Sequence, residues 1–231
     1  MPTVLITGAN RGLGLEFARQ YAAEGWLVHA ACRSPDDAKD LRQLAKKAGD
    51  RIKIIAMDVM GTASVRAAAK ALTGQPIDLL LNNAGVGGPT GQRLGNLDYA
   101  AWARVLDANT LGPMRVAEAF LENVAQSHDK RIVTITSGLG SITDNTSGGR
   151  YAYRSSKSAV NSVMKSLSVD LAARGITCVV LNPGWVRTDM GGEGGTLAPE
   201  ESIRAMRSVI AALKSEDTGK FFNYNGMLYP W

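Results

Sequence analysis

Thr3-Val4-Leu5-Ile6-Thr7-Gly8-Ala9-Asn10-Arg11-Gly12-Leu13-Gly14 is the stretch on which the fold turns. A short β-branched and aliphatic run, Thr3–Thr7, opens directly into three glycines, and a helical pattern continues through Leu15–Glu24. A strand that is apolar on consecutive positions is buried on both faces, as in a parallel sheet. Glycines placed after it permit a tight turn and a close approach of backbone to a ligand, while the helix N-terminus behind them offers N–H groups and a dipole that favour an anion. The spacing is G-x-x-x-G-x-G rather than the common G-x-G-x-x-G, so the glycines alone are compatible with a mere tight turn. After the first strand of an alternating chain they predict a site for a dinucleotide pyrophosphate at the carboxyl end of that strand.

The alternation continues to the last residue. Strands are predicted at Thr3–Thr7, Trp26–Cys32, Ile52–Met57, Ile77–Asn82, Arg131–Ser137, Ile176–Asn182 and Phe221–Tyr224. Between them, Leu111, Met114, Phe120, Leu121 and Val124 are expected on one face of a helix. Val160, Val163, Met164, Leu167 and Leu171 are expected on a second, and Ile203, Met206, Ile210 and Leu213 on a third that begins at Pro199-Glu200-Glu201. Repeated β–α units predict an α/β fold, a doubly wound parallel sheet of about seven strands with helices on both faces. No repeat, low-complexity tract or linker divides the chain, so residues 1–231 are read as one dinucleotide-binding and catalytic domain.

Composition removes several function classes. The 231 residues carry a formal net charge of +5, but no Lys/Arg run exceeds a pair such as Lys46-Lys47, so no nucleic-acid partner is expected. Cys32 and Cys178 lie singly inside apolar runs and read as small buried hydrophobes. His29 and His128 are far apart and have no ligand partners in a metal spacing, so no metal site is expected. The N-terminus lacks the pattern of a secretory signal, and no apolar run approaches the roughly 20 residues of a membrane span. No membrane association and a cytoplasmic location are the expectations.

The ends of the later strands carry the chemistry. Arg33 closes the second strand, where an acidic residue suits the free ribose of NAD and an arginine suits a 2′-phosphate. Arg11 in the glycine loop offers a second guanidinium. NADP(H) is therefore preferred, with NAD(H) as the alternative. Asp58, with Val59 beside it, comes directly after the third strand; its carboxylate suits an adenine amine, or simply caps the next helix. Tyr153 and Lys157 stand i, i+4 on a helix, hence on one face. A phenol with an ordinary pKa near 10 is a poor proton donor and acceptor at neutral pH, and a neighbouring ammonium is expected to lower it. Ser137 at the end of the fifth strand is placed to donate to a carbonyl oxygen.

Taken together, the glycine loop, Asn82-Asn83-Ala84-Gly85, Asn109, Ser137, Tyr153/Lys157 and Asn182-Pro183-Gly184 resemble the short-chain dehydrogenase/reductase family in its compact form, in the family's order and over nearly the whole chain. The resemblance implies a Rossmann-like fold and a set of roles. Ser137 polarises the carbonyl, Tyr153 transfers the proton, and Lys157 lowers the tyrosine pKa and binds the nicotinamide ribose. Asn109 completes a proton relay. Gly8, Asn10, Arg11, Gly12, Leu13, Gly14, Arg33, Asp58, Val59, Asn83, Ala84, Gly85, Tyr153, Lys157, Pro183, Gly184, Val186 and Thr188 line the cofactor. Arg33 in its context and the ending Gly219–Trp231 resemble C-factor- and sniffer-like carbonyl reductases. The implied partner is a small carbonyl or alcohol substrate, and the implied assembly a homo-dimer or homo-tetramer through the helices at 109–127 and 153–174. The stretch from Ser137 to Tyr153 is longer than is common in the family, which leaves Ser141 as an alternative to Ser137. Glycines at 191, 192, 194 and 195 suit either a lid or a flexible connector. Three activities fit: an NADP(H)-dependent carbonyl reductase, an NAD-dependent alcohol dehydrogenase, and a nucleotide-binding redox sensor or signalling protein.

Overall fold

Each of the seven apolar runs becomes a strand of one parallel sheet in the computed structural model, which describes residues 1–231. The strands are β1 (Thr3–Thr7), β2 (Leu27–Cys32), β3 (Ile52–Ala56), β4 (Leu79–Asn82), β5 (Arg131–Ile135), β6 (Thr177–Asn182) and β7 (Phe221–Asn223), in the spatial order β3-β2-β1-β4-β5-β6-β7. The helices are α1 (Gly12–Ala23), α2 (Lys39–Ala48), α3 (Thr62–Ala71), α4 (Tyr99–Leu106), α5 (Gly112–Ala119), α6 (Leu121–Ala125), α7 (Tyr151–Asp170) and α8 (Pro199–Ala212). Winding reverses between β1 and β4. Adjacent connections there leave the sheet in opposite directions, opening a crevice at the strands' carboxyl ends.

Alternation along β1 builds two cores. Val4 and Ile6 face a layer containing Phe17 and Tyr21 of α1, Leu41 of α2 and Ile203, Met206 and Ile210 of α8. Leu5 faces the other layer, with Val65 of α3, Val116 of α5, Phe120, and Val160, Met164 and Leu167 of α7. Phe17 and Phe120 are wholly buried on opposite faces. A buried aromatic contributes about 3–5 kcal/mol relative to alanine, so each layer is a large part of a stability that totals about 5–15 kcal/mol.

β1 has the predicted bounds, and the other six strands are shorter at one end than the sequence predicts. Trp26 closes α1, its N–H donating to Tyr21 O at 3.1 Å, and the N–H of Ile77 goes to Asn123 O at 3.0 Å rather than to a strand. Past the end of β5 the ladder still holds Thr136, whose N–H donates to Leu181 O at 3.0 Å. The face predicted for Leu111, Met114, Phe120, Leu121 and Val124 is not one face. Residues Asp107–Leu111 form a π turn, and a break at Phe120 separates α5 from α6. The wider turn rotates α5 relative to α4, so Leu111 and Met114 are exposed while Phe120 and Val124 are buried. The faces predicted on α7 and α8 pack inward.

Candidate active site

The glycine loop is tight for reasons visible atom by atom. Gly8 takes φ +66°, and a Cβ there would stand 2.9 Å from Ala84 Cα. A Cβ on Gly14 would stand 2.2 Å from Gly8 O and 2.6 Å from Asn83 Nδ2, so α1 approaches the loop only because residue 14 lacks a side chain. Thr7 Oγ1 accepts from both Asn83 N (3.0 Å) and Ala84 N (2.9 Å), and Asn83 Nδ2 donates to Thr7 O at 2.9 Å. These bonds tie the ends of β1 and β4 into one floor. No side chain caps the N-terminus of α1, which opens onto that floor. Uncapped N–H groups over a glycine-lined cleft fit a pyrophosphate.

The acid–base cluster lies at the far end of the same crevice. Lys157 is buried, and its Nζ donates to Ile135 O at 2.9 Å and stands 5.8 Å from the Tyr153 ring centroid. Asn109 is buried in the π turn. Its Oδ1 accepts from Val86 N at 2.8 Å, and its Nδ2 donates to Val86 O (2.9 Å) and Ser156 Oγ (3.0 Å). Gly85 leaves room beside both: a Cβ there would stand 3.2 Å from Asn109 Oδ1 and 3.7 Å from Lys157 Nζ. The turn after β5 presses against α7. A Cβ on Gly140 would meet Lys157 Cβ at 2.9 Å, while Ser158 Oγ donates to Gly140 O at 2.9 Å. That contact packs the turn headed by Ser137 against the helix that carries Tyr153 and Lys157.

Burial pushes the Tyr153 phenol above its ordinary value; the hydrogen bond from Ser137 and then the charge of Arg150 pull it back. The sequence predicts that the ammonium of Lys157 lowers this value; here Lys157 stands 5.8 Å from the Tyr153 ring centroid. Its nearest acceptor is the Ile135 carbonyl, and its own pKa is pushed down to about 8 by burial. The two serines differ in their partners. Ser141 is buried, with its Oγ donating to Trp231 O (3.0 Å) and accepting from Asp144 N (3.0 Å), whereas Ser137 Oγ accepts the N–H of Leu139 at 3.1 Å and keeps its own proton free to donate. Of the two, it is Ser137 whose hydroxyl acts on the Tyr153 phenol.

The other end of the crevice carries Arg33, exposed and free of any carboxylate partner, directly after β2. Arg11 is exposed too, but its guanidinium meets Asp189 at 3.2 Å. Arg11 is thus engaged across the crevice with the segment after β6. Asp58 Oδ1 accepts from Met60 N at 3.0 Å and so fixes the turn before α3, and Val59 packs under Gly112. Pro183 and Gly184 leave β6 with Gly184 at φ +79°. Val186 is buried and bridges to Leu197, and Thr188 reaches to 4.0 Å from the position of a Cβ on Gly12. Trp185 is exposed with its indole N–H on Gly191 O at 2.8 Å, and Trp102 stacks on Tyr99 and meets Tyr151 at a 30° tilt. His29 is buried in β2 and held near pKa 4 by burial, a packing residue. Reading the sequence missed Thr7 and Ser156, which position the floor and Asn109. Thr7 had a signal, its place immediately before the glycines.

Residues 2–196 match the short chain dehydrogenase family. The chain belongs to that family. As a short-chain dehydrogenase it is a nicotinamide-dependent oxidoreductase acting on CH–OH or C=O groups. It is 46% identical to the C-signal of Myxococcus xanthus over 167 residues, covering 72% of this chain and 100% of that protein. Its fold superposes on the carbonyl reductase Sniffer of D. melanogaster with a TM-score of 0.93, at 35% identity and covering 100% of both chains. An NADPH-bound carbonyl reductase from chicken fatty liver gives a TM-score of 0.93 at 34% identity, covering 100% of this dehydrogenase and 99% of the other chain. No helix of the dehydrogenase is long and apolar enough to cross a membrane.

Proposed function

We propose that this short-chain dehydrogenase is a single-domain NADP(H)-dependent carbonyl reductase. The observation that carries the reading is Tyr153 beside a buried Lys157, with the turn headed by Ser137 packed on the same helix, at one end of a glycine-floored crevice. The uncapped start of α1, with Gly8, Asn10, Gly12, Leu13 and Gly14, holds the pyrophosphate. Asn83, Ala84, Gly85, Pro183, Gly184, Val186 and Thr188 wall the cofactor, and Asp58 and Val59 border the adenine. A nicotinamide bound there supplies the hydride. Ser137 donates to the substrate carbonyl oxygen and holds its developing charge, and Tyr153 donates the proton that completes the alcohol. Lys157 binds the nicotinamide ribose and keeps a positive charge within reach of the phenol. The Asn109 side chain is committed to the Val86 peptide and Ser156, so its part in a relay runs through its main chain. Solved carbonyl reductases with bound NADPH or NADP among the relatives support the assignment.

Arg33 sets the nucleotide preference in this reading, because it is the cation at the end of β2 with no protein partner. A bidentate guanidinium–phosphate contact contributes about 1.5–3 kcal/mol, so NADPH is expected to bind at least about tenfold more tightly than NADH, and Arg33→Ala to erase most of the difference. Fluorescence titration with both nucleotides checks this. Equal or tighter NADH binding by the unaltered protein contradicts it and favours an NAD-dependent alcohol dehydrogenase.

The raised Tyr153 pKa gives a pH signature. Reduction needs the protonated phenol, which persists through neutral pH, so its kcat/KM is expected to stay flat up to about pH 8. Oxidation of the matching alcohol needs the phenolate and is expected to rise about tenfold per pH unit below the phenol's pKa. Parallel profiles in the two directions would contradict the assignment of Tyr153.

A second reading, a nucleotide-binding signalling protein, draws on the 46% identity to C-signal. It is separated from catalysis by Tyr153→Phe, which leaves a purely nucleotide-dependent output intact. The likeness to the family also supports a homo-dimer or homo-tetramer, and Leu111, Met114, Tyr151 and Val169 are exposed on the helices concerned.

A further inference from the structure

Ser137 heads a segment, residues 138–146, that is held from two sides. Beneath it, Gly138 N donates to Asn182 Oδ1 at 2.9 Å, and Asn182 Nδ2 donates to Asn223 Oδ1 at 2.9 Å, joining the turn to the end of β7. Above it lie the last residues of the chain. The phenol of Tyr229 rests on Gly138 so closely that a Cβ there would stand 2.6 Å from its hydroxyl and 3.1 Å from Cζ. The same hydroxyl donates to Asp144 Oδ2 at 2.8 Å. Trp231 O accepts from Thr143 N (2.8 Å) and Ser141 Oγ (3.0 Å). Both rings pack on Phe221, buried in β7, at centroid distances of 5.0 and 5.4 Å, and Tyr229 N donates to Phe221 O at 2.8 Å. The sheet edge therefore supports Tyr229, and Tyr229 clamps the residue next to the candidate serine.

We propose that Tyr229 is a positioning residue for the carbonyl chemistry: seated on Gly138 and anchored by Asp144, it holds the turn that aims the Ser137 hydroxyl at Tyr153. This rests on the carbonyl-reductase reading for its effect on turnover, but its geometric content is the seat of Tyr229 on Gly138 and Asp144, one residue from Ser137. Tyr153 is faced by the Ser137 hydroxyl from the turn after β5, by Arg150 ahead of α7 and by Lys157 one helical turn along. The clamp touches only the first of these. Loosening it weakens the bond that favours the phenolate and leaves both cations in place.

The test is an ultraviolet difference titration of the Tyr153 phenol, each protein being measured against its own Tyr153→Phe version so that other tyrosines cancel. Tyr229→Phe is expected to raise the midpoint by about half a pH unit, roughly a threefold fall in the phenolate fraction, in the direction given by Ser137→Ala. The kcat of reduction is expected to fall about threefold to tenfold, the effect of one lost hydrogen bond to a charged group felt through a neighbour, with NADPH affinity unchanged. Gly138→Ala drives a methyl into the phenol and is expected to act in the same direction. Gly138 has no positive φ, so its backbone accepts alanine, and combining the change with Tyr229→Phe is expected to cost less than the sum of the two. An unmoved Tyr153 midpoint in Tyr229→Phe overturns the proposal, including where melting temperature and kcat both fall, since that result describes a structural strap. A protein that reduces no carbonyl while the midpoint still moves refutes the functional reading and upholds the clamp.

Discussion

Tyr153→Phe is expected to lower the kcat of carbonyl reduction by about 10³-fold, within the 10²–10⁴ range that a positioned general acid contributes. The substitution keeps the ring and its packing and deletes the only group placed to give a proton. Ser137 is no replacement, because an aliphatic hydroxyl is a far weaker acid than a phenol. The side chains that floor the crevice, Thr7 and Asn83, bond to each other's backbone and to Gly8 and Ala84 rather than to Tyr153, so NADPH affinity is expected to change less than about threefold, the usual tolerance between independent sites. Steady-state assays beside a fluorescence titration check both halves. A variant that retains a tenth or more of the parental kcat would show that the proton comes from elsewhere.

Gly14→Ala is expected to abolish nucleotide binding and destabilise the fold in one step. Its Cβ would lie 2.2 Å from Gly8 O and 2.6 Å from Asn83 Nδ2, and the first of these is backbone that cannot swing away. The helix must retreat from the loop, withdrawing its N–H groups from the pyrophosphate site and straining the Asn83 bonds to Thr7 and Gly8. Overpacking of this kind costs about 1–3 kcal/mol of stability, and loss of aligned N–H donors weakens binding by about 10²-fold or more. Gly61→Ala is the matched control, since its Cβ finds its closest neighbour at an ordinary 3.4 Å. Thermal melts and NADPH titrations of the two variants should diverge sharply. Parental affinity in Gly14→Ala would place the nucleotide somewhere other than the glycine loop.

The parts of the fold legible in the sequence are those set by local physics. Strands buried on both faces must be apolar throughout, so all seven are readable, and the glycines after β1 have no reason to cluster there except close backbone approach. The face of α7 is readable because twenty residues run without interruption. The π turn at Asp107–Leu111 is not, because one extra residue in a helix leaves no mark on side-chain type while rotating Leu111 and Met114 out to solvent. The pKa logic is readable in part. The pairing of Tyr153 with Lys157 is there, but the sequence cannot weigh burial against charge, and burial governs both groups. Contacts between distant segments are invisible: Arg11 with Asp189, and Tyr229 with Asp144 across 85 residues, join loops whose composition signals only that they are loops.

The most direct measurement tracks the hydride itself. Incubating the protein with NADPH carrying deuterium at the reactive nicotinamide carbon, and a panel of aldehydes and ketones, should yield an alcohol with one deuterium on the former carbonyl carbon, read by mass spectrometry. The account predicts that label in the parent and its near-disappearance in Tyr153→Phe despite undiminished NADPH binding. Tight NADPH binding with no deuterium in any product of the parent would contradict it.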